Sequence, residues 1–478
     1  MLMRVSVAVP RPLAGSFDYL CHEPVALGAR VRVPFGRGQV IGVVVAVAPD
    51  ALDDGTLKTV ARVLDDAPLL DAPLLQLLHF AARYYQHPLG EVVQAALPKL
   101  LREGRAATRD LPRYWRITAA GRAALAGRLG GKQAAVLTAL SDGEQLEAAL
   151  RAAHHCTAGW LRDLEKRGWL EARAHWHGLG APAATAPTLN AEQTAALAAL
   201  PDRGFTATLL DGVTGSGKTE IYIRWIERLT ADGGQVLLLV PEIGLVRTLA
   251  ARLAARLGNR IAVHHSALAD GARLEQWLAV RAGDAQVLVG TRSAVFAPCP
   301  ALRGIIIDEE HDAAYKQQDG FRYHARDLAL KRAQQAGIPI LLGSATPSLE
   351  SYHQVWRGHW QHLRLTARAA TTTPPAIHLE NMDGAAASGG MSHELIRAMR
   401  RTLADGGQTL LFLNRRGYAP LLRCDACDWQ AACDACDAPL TVHTATHQLQ
   451  CHHCGRQQAL PTRCPACHSD SLHMLGLG

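Results

Sequence analysis

At 478 residues the chain is too long for a single domain, and three or four domains are expected. Apolar residues make up 48% and charged residues 19%, an ordinary globular balance, and the net charge of +7 permits a polyanionic partner without requiring one. The N-terminus lacks the apolar run and cleavage site of a signal peptide, and no run of 18 apolar residues occurs, so we expect a soluble intracellular protein with no membrane partner.

The first part of the chain divides into two predicted domains. Over residues 1–105, short Val-rich runs bounded by Gly and Pro predict a small β-rich domain that is closed by helices. Over residues 106–177, three amphipathic helical patterns run into a strand, which is the order of a winged-helix domain, often a DNA-binding module. A plain helical spacer or a protein-docking domain explains this second pattern equally well.

A linker rich in Gly, Pro and Ala over residues 178–189 precedes a long α/β region. Between residues 190 and 375, continuous apolar strands alternate with helices, which predicts a RecA-like lobe with a parallel sheet covered on both faces. Residues 376–423 begin a second, partial lobe with a predicted strand at QTLLFLN. A cysteine-rich insertion occupies residues 424–470, and residues 471–478 return to the second lobe. The predicted fold class is therefore α/β multidomain.

The segment GVTGSGKT follows an apolar strand and precedes a helical pattern, which is the context of a P-loop. Its glycines, Gly212, Gly215 and Gly217, allow backbone N–H groups to curl around phosphates at a helix N-terminus. Lys218 is placed to reach the β- and γ-phosphates, and the Thr219 hydroxyl is placed to ligate Mg²⁺. We therefore predict that this segment binds ATP with Mg²⁺.

A second half-site is expected at the end of a neighbouring strand, where GIIIDEEHD supplies carboxylates. Asp308 is suited to holding Mg²⁺ through water, and Glu309 to orienting or deprotonating the attacking water. The alternative is a charged strand end that only caps backbone groups. Gln193, upstream of the P-loop, is a candidate adenine contact, although an ordinary surface glutamine explains its position as well.

Eight of the 11 cysteines lie in one block, arranged as four C-x2-C pairs. They are Cys424, Cys427, Cys433, Cys436, Cys451, Cys454, Cys464 and Cys467. In a reducing cytosol such a block is more typical of metal sites than of disulfides, and four pairs suit two closed, non-catalytic Cys₄ zinc sites. The spacing leaves the pairing open, although the inner two pairs alone resemble a zinc ribbon. The alternative ligands are His443, His447, His452 and His453.

Aromatic and basic residues alternate directly after the DEEH carboxylates. Tyr315, Phe321 and Tyr323 are interleaved with Lys316 and Arg322. Rings that stack on bases and cations that meet phosphates are the combination expected at a single-stranded DNA site. The alternative is an ordinary core cluster, which the scarcity of aliphatic neighbours disfavours.

Together the motifs resemble those of the PriA helicases of bacterial replication restart (primosomal protein N′), within superfamily 2. The resemblance covers essentially the whole chain and rests on GVTGSGKTE, VPEIGL, GTRSAVF, the DEEH segment, GSATPSLES and FLNRRGYAP, in that order. It implies that His311 belongs to the catalytic motif and that Thr291 and Arg292 contact the DNA backbone. It also implies that the aromatic segment couples DNA contact to hydrolysis, and that GSAT links nucleotide state to the second lobe.

For the N-terminal domain the resemblance implies capture of the 3′ end of a leading strand, with Phe17, Asp18, Gly36 and Lys58 as contacts. For the cysteines it implies nested pairing, in which the outer two pairs hold one Zn²⁺ and the inner two pairs hold the other. The implied function is that of an ATP-dependent 3′→5′ DNA helicase that recognises stalled or repaired replication forks. Such a protein initiates replication restart by primosome assembly.

The implied partners are forked and single-stranded DNA, primosome proteins, the replicative helicase loader and single-strand DNA-binding protein, in the bacterial cytoplasm at the nucleoid. The zinc insertion is expected to act as a wedge in duplex separation and as a docking surface. The chain ends at Gly478, where the family continues into its last helicase motifs and a C-terminal domain. The alternative prediction is therefore a fork-binding zinc scaffold with weak or no motor activity.

Overall fold

A computed structural model describes most of the chain in two compact units, Met1–Thr372 and Thr373–Gly478. The described residues are 2–48, 55–109, 111–127, 129–174, 176, 178, 185–258, 260–369, 376–380, 391–412, 421–436, 439–443, 446–451 and 454–475. Among them, no helix is both long enough and apolar enough to cross a lipid bilayer. The α/β multidomain class predicted from the sequence is confirmed by the mixture of sheets described below.

The N-terminal domain is a five-stranded antiparallel sheet closed by short helices, as the Val-rich runs predict. Its elements are β1 (Met3–Ala8), β2 (Phe17–Cys21), β3 (Arg30–Phe35), β4 (Gly38–Ala48), β5 (Arg62–Val63), α1 (Ala72–Tyr84), α2 (Leu89–Ala95) and α3 (Lys99–Arg102). The sheet order is β2-β1-β4-β3-β5, and alternate valines on its strands form the core. A buried ion pair joins Arg30 on β3 to Asp65 at 2.7 Å, and the Arg30 guanidinium also donates to the Leu101 carbonyl on α3. The helices are thereby fixed to the sheet.

Residues 113–174 form a second, smaller domain that contains all three predicted helices. Its elements are β6 (Arg113–Ile117), α4 (Ala119–Leu125), α5 (Gly131–Ala139), β7 (Gln145–Leu146), α6 (Glu147–His154), α7 (Ala158–Lys166) and β8 (Leu170–Ala174). The strands pair in the order β7-β6-β8 against a core centred on Trp115. Strand β6 and helix α4 have no counterpart among the predicted elements. Helices beside a small antiparallel sheet are compatible with a winged helix, which stays a prediction for this domain.

The P-loop lobe is built on a seven-stranded parallel sheet in the order β11-β12-β10-β13-β14-β9-β15. Its strands are β9 (Ala207–Gly212), β10 (Gln235–Leu239), β11 (Ile261–His264), β12 (Val287–Gly290), β13 (Leu302–Asp308), β14 (Ile340–Ser344) and β15 (Gln361–Leu365). Its helices are α8 (Ala191–Ala199), α9 (Lys218–Thr230), α10 (Ile243–Leu257), α11 (Asp270–Ala282), α12 (Ala325–Ala336) and α13 (Leu349–Trp356), with short 3₁₀ turns at Arg292–Phe296 and Ala313–Tyr315. Because β13, β14 and β9 are neighbours, the motifs that follow them meet at one edge of the sheet.

The N-terminal domain and the P-loop lobe share one hydrophobic core. Apolar residues of α1 and α2 belong to the same buried cluster as those of α11 and α12. The Trp277 indole on α11 donates to the Ala96 carbonyl at 3.1 Å, and Lys99 on α3 forms an ion pair with Asp270 at 3.1 Å. The sequence pattern indicated two separate domains and gave no sign of this joint core.

The second unit consists of a helix and a small antiparallel sheet. The elements are α14 (His393–Ala404), β16 (Leu421–Cys424), β17 (Thr441–His443), β18 (Gln448–Gln450), β19 (Gln457–Ala459) and β20 (Leu472–Leu475). Strands β16 and β20 pair with each other, so the zinc-binding module extends on both sides of the predicted range 424–470. The strand predicted at QTLLFLN is not formed over its described part, residues 408–412, where Leu410 and Phe412 are exposed. Most of FLNRRGYAP lies outside the described residues.

Candidate nucleotide site and nucleic-acid interface

The P-loop connects β9 to α9 and holds Lys218 close to its own backbone. Gly217 caps α9 with φ of 84°, in the left-handed region that favours glycine. The Lys218 ammonium donates to the Gly212 carbonyl at 2.7 Å and is largely buried. The Ser216 hydroxyl is buried with no hydrogen-bond partner among the described residues. These groups fit a phosphate chain. They are the N–H groups at the start of α9, the unsatisfied Ser216 hydroxyl and a lysine that is bonded only to a carbonyl.

Gln193 lies against the P-loop and is only 4% exposed. Its amide nitrogen donates to the Ser216 carbonyl at 2.8 Å, and its amide oxygen accepts from the Asn190 N–H at 2.9 Å. The latter bond is half of a capping box that starts α8. One amide hydrogen and one oxygen lone pair remain for a nucleotide. The burial of Gln193 argues against the ordinary surface glutamine that the sequence left open.

The acidic motif begins at the end of β13. This strand is separated from β9, which precedes the P-loop, by β14 alone. The Tyr222 hydroxyl on α9 donates to Asp308 at 2.9 Å. Burial raises the pKa of Asp308 above its ordinary value, and the charge of Glu309 adds to the rise. The Tyr222 hydrogen bond and the charge of Lys218 oppose that rise. Glu309 has φ of 45°, a strained conformation of the kind found at functional sites.

His311 joins the acidic motif to GSAT. Its Nδ1 atom lies 2.7 Å from the Ser344 hydroxyl and 3.7 Å from a Glu309 carboxylate oxygen. Its Nε2 atom lies 3.4 Å from the Thr346 hydroxyl. One imidazole therefore connects Glu309 to the Ser344 and Thr346 hydroxyls, so a movement of Glu309 would alter the contacts of both.

Glu310 is a functional candidate that the sequence interpretation missed. Its side chain is completely buried and accepts from the Ser348 N–H at 2.7 Å, the Ser351 hydroxyl at 2.9 Å and the Arg326 guanidinium at 2.9 Å. Arg326, one of the cations near the aromatic segment, thus faces a carboxylate rather than solvent. The available signal was the third acidic residue of DEEH together with Ser348 and Ser351 of GSATPSLES.

The aromatic segment, residues 313–324, forms a core instead of an open stacking surface. Tyr315 is fully buried, with its hydroxyl 2.6 Å from the Asp308 carbonyl, and Phe321 and Tyr323 are 8% and 5% exposed. The predicted stacking of bases on these three rings does not agree with their positions, because neighbouring side chains cover them. The core cluster that the sequence interpretation disfavoured is what the structure shows.

Part of the cover of the aromatic segment comes from the N-terminal domain, and part comes from Phe296 of the P-loop lobe, which packs on Phe321 and Tyr323. The Tyr85 ring contacts Phe321 edge to face, its hydroxyl accepts from the His324 N–H at 3.1 Å, and the Lys316 ammonium lies 5.3 Å from the ring centre. His87 stacks on Phe321. Of the two predicted cations in the segment, Lys316 is half-buried and Arg322 is exposed. Arg322 is therefore the predicted DNA contact of this segment that is open to solvent.

Thr291 and Arg292 follow β12 at the same edge of the sheet. The Thr291 N–H donates to the His264 carbonyl at 3.1 Å. The Arg292 guanidinium donates to the carbonyls of Ala314 and Lys316 at 3.1 and 2.9 Å, so it anchors the aromatic segment. Both residues are half-buried.

The four residues predicted to hold a DNA end line one cavity of about 250 Å³ in the N-terminal domain. They are Phe17, Asp18, Gly36 and Lys58. Phe17 packs edge to face on Phe35 at 5.1 Å. The Asp18 carboxylate accepts from the Ser6 hydroxyl at 2.6 Å and pairs with Arg4 at 2.8 Å. An aromatic ring, an oriented carboxylate and a lysine therefore converge on one small cavity.

The eight cysteines form two clusters with nested pairing. In each cluster the four sulfur atoms lie within 4.8 Å of one another. The outer cluster is Cys424, Cys427, Cys464 and Cys467, and the inner cluster is Cys433, Cys436, Cys451 and Cys454. Sulfur pairs at 3.5 to 3.6 Å approach the edge of about 3.8 Å of a tetrahedron with Zn–S bonds of about 2.3 Å. The donor sets fit two Zn²⁺ ions, as predicted.

Histidine ligands are not needed at either zinc site. His443 and His447 belong to neither cluster among the described residues. His452 and His453 lie outside the described residues.

Comparison with known proteins agrees with this geometry. Family models described as the PriA 3′ DNA-binding domain, the DEAD/DEAH box helicase and the PriA DNA helicase Cys-rich region match residues 6–98, 190–355 and 433–458. The replication restart protein PriA of Haemophilus influenzae is 43% identical over 100% of this chain and 67% of its own length. The chain belongs to the PriA family. The Treponema pallidum PriA is 34% identical over 98% of the chain and 62% of its own length, so the chain spans about two thirds of these PriA relatives.

The PriA family assignment gives each site its ligand. The match to the helicase model contains the P-loop and the DEEH motif, so this lobe is a site for ATP and Mg²⁺. The Cys-rich region match covers the inner cluster, and the two clusters are sites for two Zn²⁺ ions. The match to the 3′ DNA-binding domain contains the cavity around Phe17 and Lys58. A solved structure of RecG on a three-way DNA junction has a TM-score of 0.34 and 18% identity over 52% of this chain and 33% of its own, too weak to carry an argument.

Proposed function

We propose that the protein is an ATP-dependent 3′→5′ DNA helicase that recognises stalled or repaired replication forks and initiates replication restart by primosome assembly. The observation that carries the proposal is the convergence of the P-loop, DEEH and GSAT at neighbouring strand ends, in the compact unit that also contains the cavity for a DNA end. A nucleotide site and a cavity for a nucleic-acid end in one compact unit support ATP-dependent activity at forks.

At the nucleotide site, each side chain has a role set by its position. Lys218, which donates to the Gly212 carbonyl, would bind the β- and γ-phosphates, and Thr219 and Asp308 would hold Mg²⁺. Glu309 orients or deprotonates the attacking water. Gln193 can bind adenine with its remaining amide hydrogen and oxygen lone pair. His311 conveys the state of Glu309 to GSAT. When bound, ATP with Mg²⁺ supplies the phosphoryl group that is transferred to water.

At the DNA-end cavity, recognition follows from three kinds of side chain. The Phe17 ring stacks on the terminal base, the Asp18 carboxylate accepts from the free 3′ hydroxyl, and Lys58 meets a phosphate. Gly36, with φ of 60°, lines the same cavity without a side chain. Thr291, Arg292, Lys316 and Arg322 are the proposed contacts to the strand on the P-loop lobe.

The zinc module is proposed to act as a wedge at the duplex junction and as a docking surface. Its closed Cys₄ clusters stabilise a small sheet whose own apolar core is limited to a few residues, so its shape depends on metal. The proposed protein partners are primosome proteins, the replicative helicase loader and single-strand DNA-binding protein.

The test is ATP hydrolysis by the zinc-loaded chain, with and without forked DNA. We expect forked DNA to stimulate turnover, and we expect Lys218→Ala to reduce turnover by at least about 100-fold. Arg203→Ala, at an exposed position before β9, is the matched surface control and should leave turnover unchanged. Fork binding without Lys218-dependent turnover would contradict the motor and favour the fork-binding zinc scaffold.

A further inference from the structure

The segment that follows the last strand of the P-loop lobe lies against the P-loop. Residues 366–369, here called the strap, come directly after β15 and shortly before the boundary between the two compact units. Just before the strap begins, the Val213 N–H donates to the Leu365 carbonyl at 3.1 Å. At its end, the Ala369 N–H donates to the Gly215 carbonyl at 2.8 Å. The strap is therefore hydrogen-bonded to the P-loop at both ends.

Glu192, on the first turn of α8, holds the first half of the strap. Its carboxylate accepts from the Thr366 N–H at 2.8 Å, the Thr366 hydroxyl at 2.5 Å and the Ala367 N–H at 3.1 Å. The hydrogen bond from the Thr366 hydroxyl, followed by that from the Ala367 N–H, lowers the pKa of Glu192. The carboxylate is therefore ionised near neutral pH and acts only as an acceptor. Glu192 has none of the roles proposed above for the nucleotide site.

Two successive carbonyl groups of the P-loop are held from one side. The Gly215 carbonyl accepts from Ala369, and the Ser216 carbonyl accepts from the Gln193 amide at 2.8 Å. A Cβ atom on Gly217 would lie 2.3 Å from that amide nitrogen and 3.5 Å from the Ala369 Cβ, so both donors border the same part of the loop. In a planar trans peptide the N–H group points opposite to the carbonyl oxygen. The N–H groups of Ser216 and Gly217 therefore point away from these donors, as phosphate binding in a P-loop requires.

We propose that Glu192 is a positioning residue of the nucleotide site, which holds the strap so that the Gly215 carbonyl stays turned outwards and the following N–H stays turned towards the phosphates. Consecutive residues of α8 thus hold consecutive peptide groups of the P-loop, Gln193 directly and Glu192 through the strap. Docking of the strap and binding of a triphosphate should then stabilise each other, because the two share the P-loop conformation. The inference rests on the proposed function, since it adds a residue to the same nucleotide site.

The first test compares Glu192→Ala with Glu192→Gln in their affinity for a fluorescent ATP analogue with Mg²⁺. Alanine removes all three contacts to the strap. Glutamine can accept from both N–H groups with its carbonyl oxygen and donate to the Thr366 hydroxyl with its NH₂ group. We expect Glu192→Ala to bind the analogue at least about fivefold more weakly than the parent, and Glu192→Gln to bind within about threefold of the parent. Thermal unfolding should show that both variants are folded.

Glu394→Ala is the matched control for this comparison. Glu394 is the second residue of α14, the position that Glu192 occupies in α8, and its ion pairs with Arg397 and Arg401 lie within α14. Its removal should leave the affinity for the analogue unchanged. Equal losses of affinity in the alanine and glutamine variants of Glu192 would overturn the proposal, because the negative charge and not the hydrogen bonds to the strap would then matter.

The second test is amide hydrogen exchange, measured by mass spectrometry on a peptide that contains the strap. The ATP analogue with Mg²⁺ should slow exchange in the strap of the parent by at least about threefold, and this protection should be largely lost in Glu192→Ala. Equal protection in the parent and in folded Glu192→Ala would overturn the coupling.

Two outcomes separate the role of Glu192 from the function on which it rests. A parent chain that binds no ATP analogue would contradict the proposed function itself. A parent that binds the analogue no more tightly than folded Glu192→Ala would contradict only the positioning role of Glu192.

Discussion

At the scale of single residues, the space beside Asp308 is set by Gly343. A Cβ atom at position 343 would lie 1.7 Å from the Tyr222 hydroxyl oxygen, so only glycine admits the tyrosine ring there. The same hydroxyl donates to Asp308, and burial together with the Asp308 charge raises the pKa of Tyr222 well above its ordinary value. Tyr222 is therefore a permanent donor to the proposed Mg²⁺-binding carboxylate.

Tyr222→Phe is predicted to move the acid limb of Mg²⁺-dependent nucleotide binding to higher pH. The pKa of Asp308 is already raised in the folded protein. The ionised carboxylate therefore lowers the stability of the nucleotide-free protein above that pKa, and protonation removes this loss of stability as the pH falls. Loss of the hydroxyl removes a contribution that lowers the pKa, and carboxylate charge is then lost earlier on acidification. The measurement is the affinity for a fluorescent ATP analogue with Mg²⁺ between pH 5 and 8.

Tyr352→Phe is the matched control for this profile, because it removes a hydroxyl that donates to a different carboxylate, Asp211, at 2.8 Å. An acid limb that stays at the parent position in Tyr222→Phe would show that the hydroxyl does not tune Asp308.

The sequence predicts those residues of the nucleotide site whose role can be recognised from their neighbours in the chain. Lys218 and Thr219 follow from glycine spacing between a strand and a helix, and Asp308 follows from an apolar strand that ends in acid. Glu310 and Gly343 depend on partners that are distant in the chain, namely Ser351 and Tyr222. The residues themselves stand in recognisable motifs, but their spacing in the sequence does not show which of them meet, so these contacts are seen only in the fold.

At the scale of elements, the residues that follow α1 help to bury the aromatic segment. Interleaved rings and cations favour a base-stacking surface when the segment is considered alone. In the fold, Tyr85 and His87 cover Phe321, and burial raises the pKa of Tyr85 to about 12. The predicted stacking surface differs from the structure for a physical reason: the exposure of a ring depends on elements that pack on it from far away in the sequence.

Tyr85→Phe is predicted to loosen the aromatic segment without unfolding the lobe. The substitution removes the hydroxyl that accepts from the His324 N–H, a hydrogen bond worth about 0.5–1.5 kcal/mol. We expect amide hydrogen exchange at His324 to accelerate by roughly two- to tenfold. Tyr84→Phe, at a neighbouring ring that is 62% exposed, should leave the exchange unchanged. Equal exchange in the two variants would mean that the Tyr85 hydroxyl does not restrain the segment.

The two cysteine clusters are predicted to lose zinc independently. Zinc content should be about two ions per chain, and Cys427→Ser should lower it to about one while the inner cluster keeps its ion. Cys156→Ala, which alters a buried cysteine in the core of the domain at residues 113–174, should leave both ions bound. Zinc released on denaturation and titrated with a chromogenic chelator gives the measurement. Loss of both ions from folded Cys427→Ser would contradict independence.

At the scale of the whole molecule, the described nucleotide site and the zinc clusters belong to different compact units. Lys218 and Asp308 lie in the unit Met1–Thr372, whereas all eight clustered cysteines lie in Thr373–Gly478. We expect a zinc-selective chelator, with Mg²⁺ kept constant, to unfold the zinc module and abolish unwinding. Affinity for a fluorescent ATP analogue should change by less than about twofold, because the described sites share no residues. Unwinding that survives loss of the module's structure would contradict its role as a wedge.

Nested pairing also sets an order of events during synthesis on the ribosome. Cys454, the last ligand of the inner cluster, leaves the ribosome before Cys464 and Cys467, so the inner cluster has all four ligands outside the ribosome first. Strand β20, which pairs with β16, is translated later still. The order of emergence thus allows the inner site to form first, and the two ends of the module can pair only when β20 is available.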